Sequence, residues 1–302
     1  MMPAMNGTGR ALGLGLVWLL NLSGCAEPAA EQMPPEDNTP HVDLVGEYSL
    51  KPGEEKYLCY TLRVPKGMEQ AVTRLVPTYG VGTHHILFSQ TLTPEPAGQS
   101  ECAVLSKETW LPLYAGGKES GILSSPAGTA MRLIEPEQQL LMQLHLQNAS
   151  PNPLTAKTKM RVEFAPSSQG LTWAGLYGLD NRVITLPANS KRVKSSMSCV
   201  MDKELNVFAI MGHMHKQGRS LLVSRGGTSG AEVLYQEAWN FDLQPVTPIT
   251  MQIRKGDTIS LDCEHDNDSD KPVVYGESSD TEMCAVVFYY TPFNGLDGCI
   301  KS

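Results

Sequence analysis

The chain has no CxxC pair, no HExxH and no GxSxG. These gaps argue against a thioredoxin-like redox site or zinc ribbon, a zinc protease of the HExxH type and a serine hydrolase. Basic residues are in deficit, with 24 Lys and Arg against 32 Asp and Glu and a formal charge of −8. Such a chain has no general attraction for nucleic acid or anionic lipid, and no nucleic-acid partner is expected. No convincing helical period follows residue 40. What the chain does have is 27 Gly and 21 Pro, a turn-rich usage that suits strands better than a helical bundle. Its 302 residues, 41% hydrophobic and 19% charged, have a globular composition and leave room for two domains of ordinary size.

The first segment reads as an export signal. Arg10 precedes the apolar run Ala11 to Leu22, which is too short to span a bilayer and fits a signal-peptide core. The run ends in Leu22-Ser23-Gly24-Cys25, which resembles a bacterial lipobox. The alternative is an ordinary signal peptide that happens to contain a cysteine. The expectation is a signal peptide over 1–24, then lipidated Cys25 and a flexible Pro-, Ala- and acid-rich tether over 25–44. That makes the chain an exported bacterial lipoprotein of the cell envelope, touching membrane only through its lipid anchor. Ala26 after Cys25 favours the outer membrane in a Gram-negative host. Six cysteines remain, Cys59, Cys102, Cys199, Cys263, Cys284 and Cys299; an even number in an exported chain suggests disulfides, and six allow 15 pairings.

Strand signals recur along the body. Met160, Val162 and Phe164 alternate with Lys159, Arg161 and Glu163, one buried and one wet face. Leu221–Ser224 and Ala231–Tyr235 flank Gly226-Gly227, a hairpin signal, and Ala285–Tyr290 is apolar throughout, as a strand buried on both faces would be. No internal sequence repeat stands out. The expected fold is all-β, two tandem antiparallel β-sandwich (jelly-roll) domains over 45–166 and 167–302, divided within the small, polar stretch Ala165 to Leu171.

Histidine carries the chemistry. Five of the seven fall in Thr83-His84-His85, Gln143-Leu144-His145 and Gly212-His213-Met214-His215. His213 and His215 are two apart, so on a strand both rings point to one face and can share an ion. His84 and His85 would point to opposite faces of a regular strand; they can share an ion only if the backbone bends, which Gly82 would ease. Asp262, Glu264, Asp266, Asp268 and Asp270 surround His265. This stretch lacks the order of an EF-hand and reads as a solvated hairpin turn in preference to a Ca²⁺ loop. His265 and His41 are expected on the surface.

With these residues in place, the chain resembles the copper type II, ascorbate-dependent monooxygenases, the family of peptidylglycine α-hydroxylating monooxygenase and dopamine β-monooxygenase. The similarity runs from about Tyr57 to Cys299. It rests on Tyr57-Leu58-Cys59 with Arg63-Val64-Pro65, on Thr83-His84-His85, on Gln143-Leu144-His145 and on His213-Met214-His215 followed by Gly218-Arg219. Gly256-Asp257 before Cys263, and Glu282-Met283-Cys284 with Tyr289-Tyr290, complete it. The resemblance implies two copper ions per chain, one on His84, His85 and His145, the other on His213, His215 and Met283. Imidazole suits both copper oxidation states, and a thioether favours Cu(I). It implies the pairs Cys59–Cys102, Cys199–Cys299 and Cys263–Cys284. It further implies hydroxylation of a small-molecule C–H bond with O2 and ascorbate or a similar reductant. The Met283 copper, with His213 and His215, would be the catalytic one, and the three-His copper would supply an electron across an interdomain cleft. Gln143 is expected to orient that cleft.

The chain departs from the peptide-amidating pattern. Met211 stands where those members carry an Arg, Val287 where they carry a Tyr, and Ala285 where they carry an Asn. A peptide C-terminus is therefore not the expected substrate, a less polar molecule is, and no carboxylate anchor for an amine is evident. The competing expectation is an exported protein that binds or sequesters copper without catalysis.

Overall fold

A computed structural model describes residues 39–102, 107–118, 120–226, 231–293, 295 and 297–302. The expected signal peptide, Cys25 and the tether as far as residue 38 lie outside these residues, as does Gly227. Residues 39–302 form one compact unit.

Twenty-one strands and no helix occur among the described residues. The first half holds β1 (His41–Leu50), β2 (Glu55–Arg63), β3 (Ala71–Thr78), β4 (Thr83–Thr91), β5 (Gly98–Glu101), β6 (Trp110–Gly117), β7 (Leu123–Ser124), β8 (Thr129–Arg132), β9 (Gln139–Gln147) and β10 (Leu154–Phe164). The second holds β11 (Thr172–Asn181), β12 (Thr185–Leu186), β13 (Ser190–Val200), β14 (Leu205–Met214), β15 (Gly218–Arg225), β16 (Glu232–Ala238), β17 (Thr247–Ile253), β18 (Thr258–Asn267), β19 (Val273–Val274), β20 (Cys284–Thr291) and β21 (Asp297–Lys301). β1 starts at His41, inside the stretch expected as tether, because its Val42, Leu44, Tyr48 and Leu50 alternate into the core.

The strand order repeats. In the first half β2-β9-β4-β6 forms a small sheet over β1-β10-β3-β8; in the second, β13-β18-β15-β16 forms one over β11-β20-β14-β17. In chain order the two sets match strand for strand. Each half buries its own apolar cluster between its two sheets, with Leu75, Phe88, Met142 and Val162 in one and Leu179, Met214, Leu261 and Phe288 in the other. Even the turn at the end of β9 and of β18, the last strand of each small sheet in chain order, recurs. Asn148 accepts from the Ser150 amide and hydroxyl and donates to Asn152 O; Asn267 does the same with Ser269 and Lys271 O. The repeat that the sequence did not display is thus present in the topology.

The halves are not independent, however. β8 pairs with β11 in parallel, Thr172 opposite Thr129, so the two large sheets fuse into one of ten strands. Ala209, Met211 and Tyr289, from the second half of that sheet, turn their faces into the first half's core. The fold is therefore an all-β sandwich of mainly antiparallel sheets, in which the parallel β8–β11 pairing joins the large sheets of the two halves.

Two local expectations are corrected. Asp262, Glu264 and Asp266 lie on strand β18, and only Asp268 and Asp270 fall in the turn that follows it. Asp266 pairs with Lys191 and Arg219 and Glu264 with Arg192 along the strand, and Asp268 beyond it meets Lys191. Strand alternation then sends His265 inward, where it is 0% exposed and bonded to Ser195 Oγ through Nε2 at 2.9 Å.

Candidate metal centres

The first cluster sits on the face of the small sheet turned away from its own core. Along β9, Leu140, Met142, Leu144 and Leu146 point inward, which leaves Gln143 and His145 on the other face. His145 lies directly opposite Tyr57 on β2 and His85 on β4. The ladder between β4 and β9 slips between Thr83 and His85, making His84 the extra residue of a bulge. Gly82, with φ of +88°, leads the chain into it. The bulge is why two consecutive histidines share a face.

The result is a triangle of ring nitrogens. His84 Nδ1 is 3.3 Å from His85 Nδ1, which is 3.4 Å from His145 Nδ1. Nitrogens held about 2.0 Å from one ion, at angles between tetrahedral and trigonal, lie about 3.3 to 3.5 Å apart. The donor set and its spacing therefore fit a bound transition metal. His145 Nε2 donates to Glu55 Oε1 at 2.7 Å, which keeps the proton on Nε2 and leaves Nδ1 free for a metal. Tyr57 stacks flat on the same ring at 4.4 Å. Burial, reinforced by the charges of His145 and His213, holds His84 down to about 3, and burial keeps His85 well below its ordinary range. The hydrogen bond from His145, aided by Ser279, brings Glu55 to about 2 against the opposing effect of burial. Both imidazoles are thus in the neutral, metal-binding form at neutral pH.

The second cluster follows from sheet register alone. On β14 and β20, Met214 pairs with Cys284, His213 with Ala285 and Met211 with Val287. One step beyond the last pair, His215 and Met283 face each other. Alternation then places His213, His215 and Met283 on one side of the sheet and Met214 and Cys284 on the core side. His213 donates from Nδ1 to Gln244 Oε1 at 2.8 Å, and His215 from Nδ1 to Thr281 O at 3.1 Å; each keeps Nε2 for a metal. His213 Nε2 is buried without a partner. Burial lowers His213 and brings His215 to about 3. Two imidazoles and a thioether make a donor set suited to Cu(I).

The two faces meet. The His85 and His213 rings are 5.7 Å apart, edge to face, so no wide cleft separates the clusters. Gln244 helps to hold this approach, since its carbonyl accepts from Gly117 N at 2.9 Å. A Cβ on Gly117 would come within 2.6 Å of the Gln244 Cβ. The segment before Met283 ties both centres: Ser279 Oγ donates to Glu55 at 2.9 Å, and the Tyr57 hydroxyl donates to Glu277 O at 3.1 Å. A cavity of about 660 Å³ opens beside the rings, with His85, His213, Met283, Met211, Ala285 and Val287 among its walls. The three departures from the peptide-amidating pattern all lie on its floor. Gln143 is buried and is not among the walls of this cavity; its amide lies 3.7 Å from Cys102 Sγ.

The disulfides are Cys59–Cys102, Cys199–Cys299 and Cys263–Cys284, with Cα separations of 5.7, 6.4 and 6.0 Å. They are the pairs the resemblance implied, and they belong to an oxidising compartment. Sequence reasoning missed Glu55, Gln244, Ser279 and the role of Glu282. Only Glu55 carried a signal, two residues before Tyr57 and hence on the same strand face.

Residues 172–302 match the family description of the copper type II ascorbate-dependent monooxygenase C-terminal domain. The mouse DBH-like monooxygenase protein 2 is 30% identical over 130 residues, covering 38% of this chain and 21% of that one. A human DBH-like monooxygenase protein 2 is 28% identical over 102 residues, covering 32% of this chain and 20% of that one. The chain therefore spans about a fifth of the length of these relatives. Among solved structures, the STIV MCP matches over 83% of this chain and 96% of that one, with a TM-score of 0.35 and 9% identity. The second half, residues 172–302, is thus similar to the C-terminal domain of the copper type II, ascorbate-dependent monooxygenases, and it carries the His213, His215 and Met283 motifs and the register just described.

Proposed function

We propose that the protein is a copper-dependent monooxygenase that hydroxylates a C–H bond of a small, largely apolar molecule. It would use two copper ions, one on His84, His85 and His145 and one on His213, His215 and Met283. The overall balance is R–H + O2 + 2e⁻ + 2H⁺ → R–OH + H2O, with ascorbate or a similar donor supplying the electrons. Copper, when bound, supplies the one-electron redox steps and the O2 chemistry that no side chain can. The chain's own residues do the rest. Glu55, Gln244 and Thr281 fix the ring tautomers, burial favours the neutral form of His84, His85, His213 and His215, and Met211, Ala285 and Val287 offer the substrate an apolar floor.

The observation that carries this reading is the opening of both clusters onto one cavity, with His85 and His213 5.7 Å apart. A copper-storage protein has no need of that cavity. Metal analysis together with reductant-dependent O2 uptake tests the reading. The wild type should bind two coppers and consume O2 with product formed, and His145→Ala should keep one copper. A single tight site in the wild type would sink the two-centre reading, and two coppers without substrate-dependent turnover would return the storage reading. Two domains, 45–166 and 167–302, each carrying one centre, belong to the same proposal, as does attachment to a bacterial envelope through lipidated Cys25. Cys25→Ser should then release the protein from the membrane fraction; identical partitioning would remove the anchor.

A further inference from the structure

The ladder between β14 and β20 stops at Met214–Cys284, although His215 and Met283 are in register for one more pair. Their amides do not bond to each other. Both donate to Glu282 Oε1, Met283 at 2.8 Å, while the amide of Gln217 donates to Oε2 at 3.0 Å. Glu282 is 0% exposed. The groups facing its carboxylate are these three amides and His265, whose Nδ1 lies 3.7 Å from Oε2. Its main chain is fixed as well: the amide donates to Val274 O at 3.0 Å, and the carbonyl accepts from Gly276 N at 3.2 Å. The neighbouring Thr281 carbonyl holds the His215 ring.

A buried carboxylate has thus been inserted where a sheet rung would otherwise close. A regular rung would hold two backbones about 5 Å apart. Here their separation is set by a carboxylate that accepts from both. His215 and Met283 are the residues on those two backbones, so their side chains reach a shared ion from positions that Glu282 fixes. We propose that Glu282 is the positioning residue of the second centre: it holds the rung open and sets the reach of Met283 toward the ion on His213 and His215. The inference rests on reading those three residues as one metal site. Glu282 acts through backbone amides: Oε1 accepts from two of them, and Oε2 accepts from a third and faces His265.

The test uses the full-length protein loaded with Cu(I). Glu282→Gln puts an NH2 against at least one of the three donors, and Glu282→Ala removes the acceptor altogether. The readouts are copper per chain, the copper–sulfur contribution to X-ray absorption and the thermal melt. Glu282→Gln should keep two coppers and a cooperative melt, lose most of the copper–sulfur contribution, and lower product formation about 10- to 100-fold, as an outer-shell partner does. Glu282→Ala should abolish the copper–sulfur contribution while the three-His copper stays. Full copper–sulfur scattering in both variants would overturn the positioning role. Should neither variant fold, the wild type decides. Through-hydrogen-bond NMR coupling from the His215 and Met283 amides to the Glu282 carboxyl carbon is expected, and its absence overturns the proposal. Failure of the site reading itself looks different: the wild type would then show no copper–sulfur contribution, or one that Met283→Ala leaves unchanged.

Discussion

The two halves of the molecule have one strand order and two unlike histidine-bearing faces. In the first half the histidines lie on the outside of the small sheet, on β4 and β9. In the second they lie on the large sheet, on β14 and beside β20. The counterpart of β9 is β18, and there His265, two residues before Asn267, takes the inward place that Leu146 takes two residues before Asn148. His265 is closed in by Ser195 and Glu282, whereas His145 presents Nδ1 to two other imidazoles. A duplicated fold has therefore not duplicated its chemistry. What makes a histidine a candidate ligand is the register of its neighbours and the group that takes its second nitrogen, not its place in the topology.

Breaking the second face should have the largest effect. Met283→Ala should leave copper on His213 and His215 under excess metal and lower product formation by a factor on the order of 10² or more. Near wild-type turnover would remove Met283 from the mechanism. Next is Met214→Ala, on the opposite side of the same strand. Met214 is 0% exposed within the second core, so its truncation should cost about 2 kcal/mol or more. A denaturant melt checks this, and copper stoichiometry should not change. A melt at wild-type stability would contradict the burial.

On the first face, Glu55→Ala frees His145 Nε2 and should weaken the three-His copper about 10-fold or more without touching the second site. Competition with a copper chelator reads both affinities separately; equal weakening of the two would show that the centres are not held independently. The smallest effect tests the duplication itself. Ser150→Ala and Ser269→Ala each remove the hydroxyl from a matching Asn turn, and each should cost about 1 kcal/mol. Markedly unequal losses in chemical denaturation would mean that the two turns share a shape but not a role.

The sequence by itself determined the periodic elements and the inventory. Alternation in Met160–Phe164 and the hairpin around Gly226 were legible because strand faces are a period-two property of neighbouring residues. The clustering of the histidines and the spacing of HxH needed no partner either. The disulfide pairs came from resemblance, not from cysteine arithmetic. Only the tertiary structure decided that His84 is a bulge residue, that His85 meets His145, that Met283 is in register with His215, and that the two large sheets are one. The physical reason is that hydrogen-bond register between strands far apart in sequence is a choice among pairings that local pattern leaves equivalent. A slip of one residue moves every side chain to the other face. The acceptors that orient the rings, Glu55, Gln244 and Glu282, are set by those same long-range pairings, and a polar residue that will be buried looks in sequence like one that will be wet.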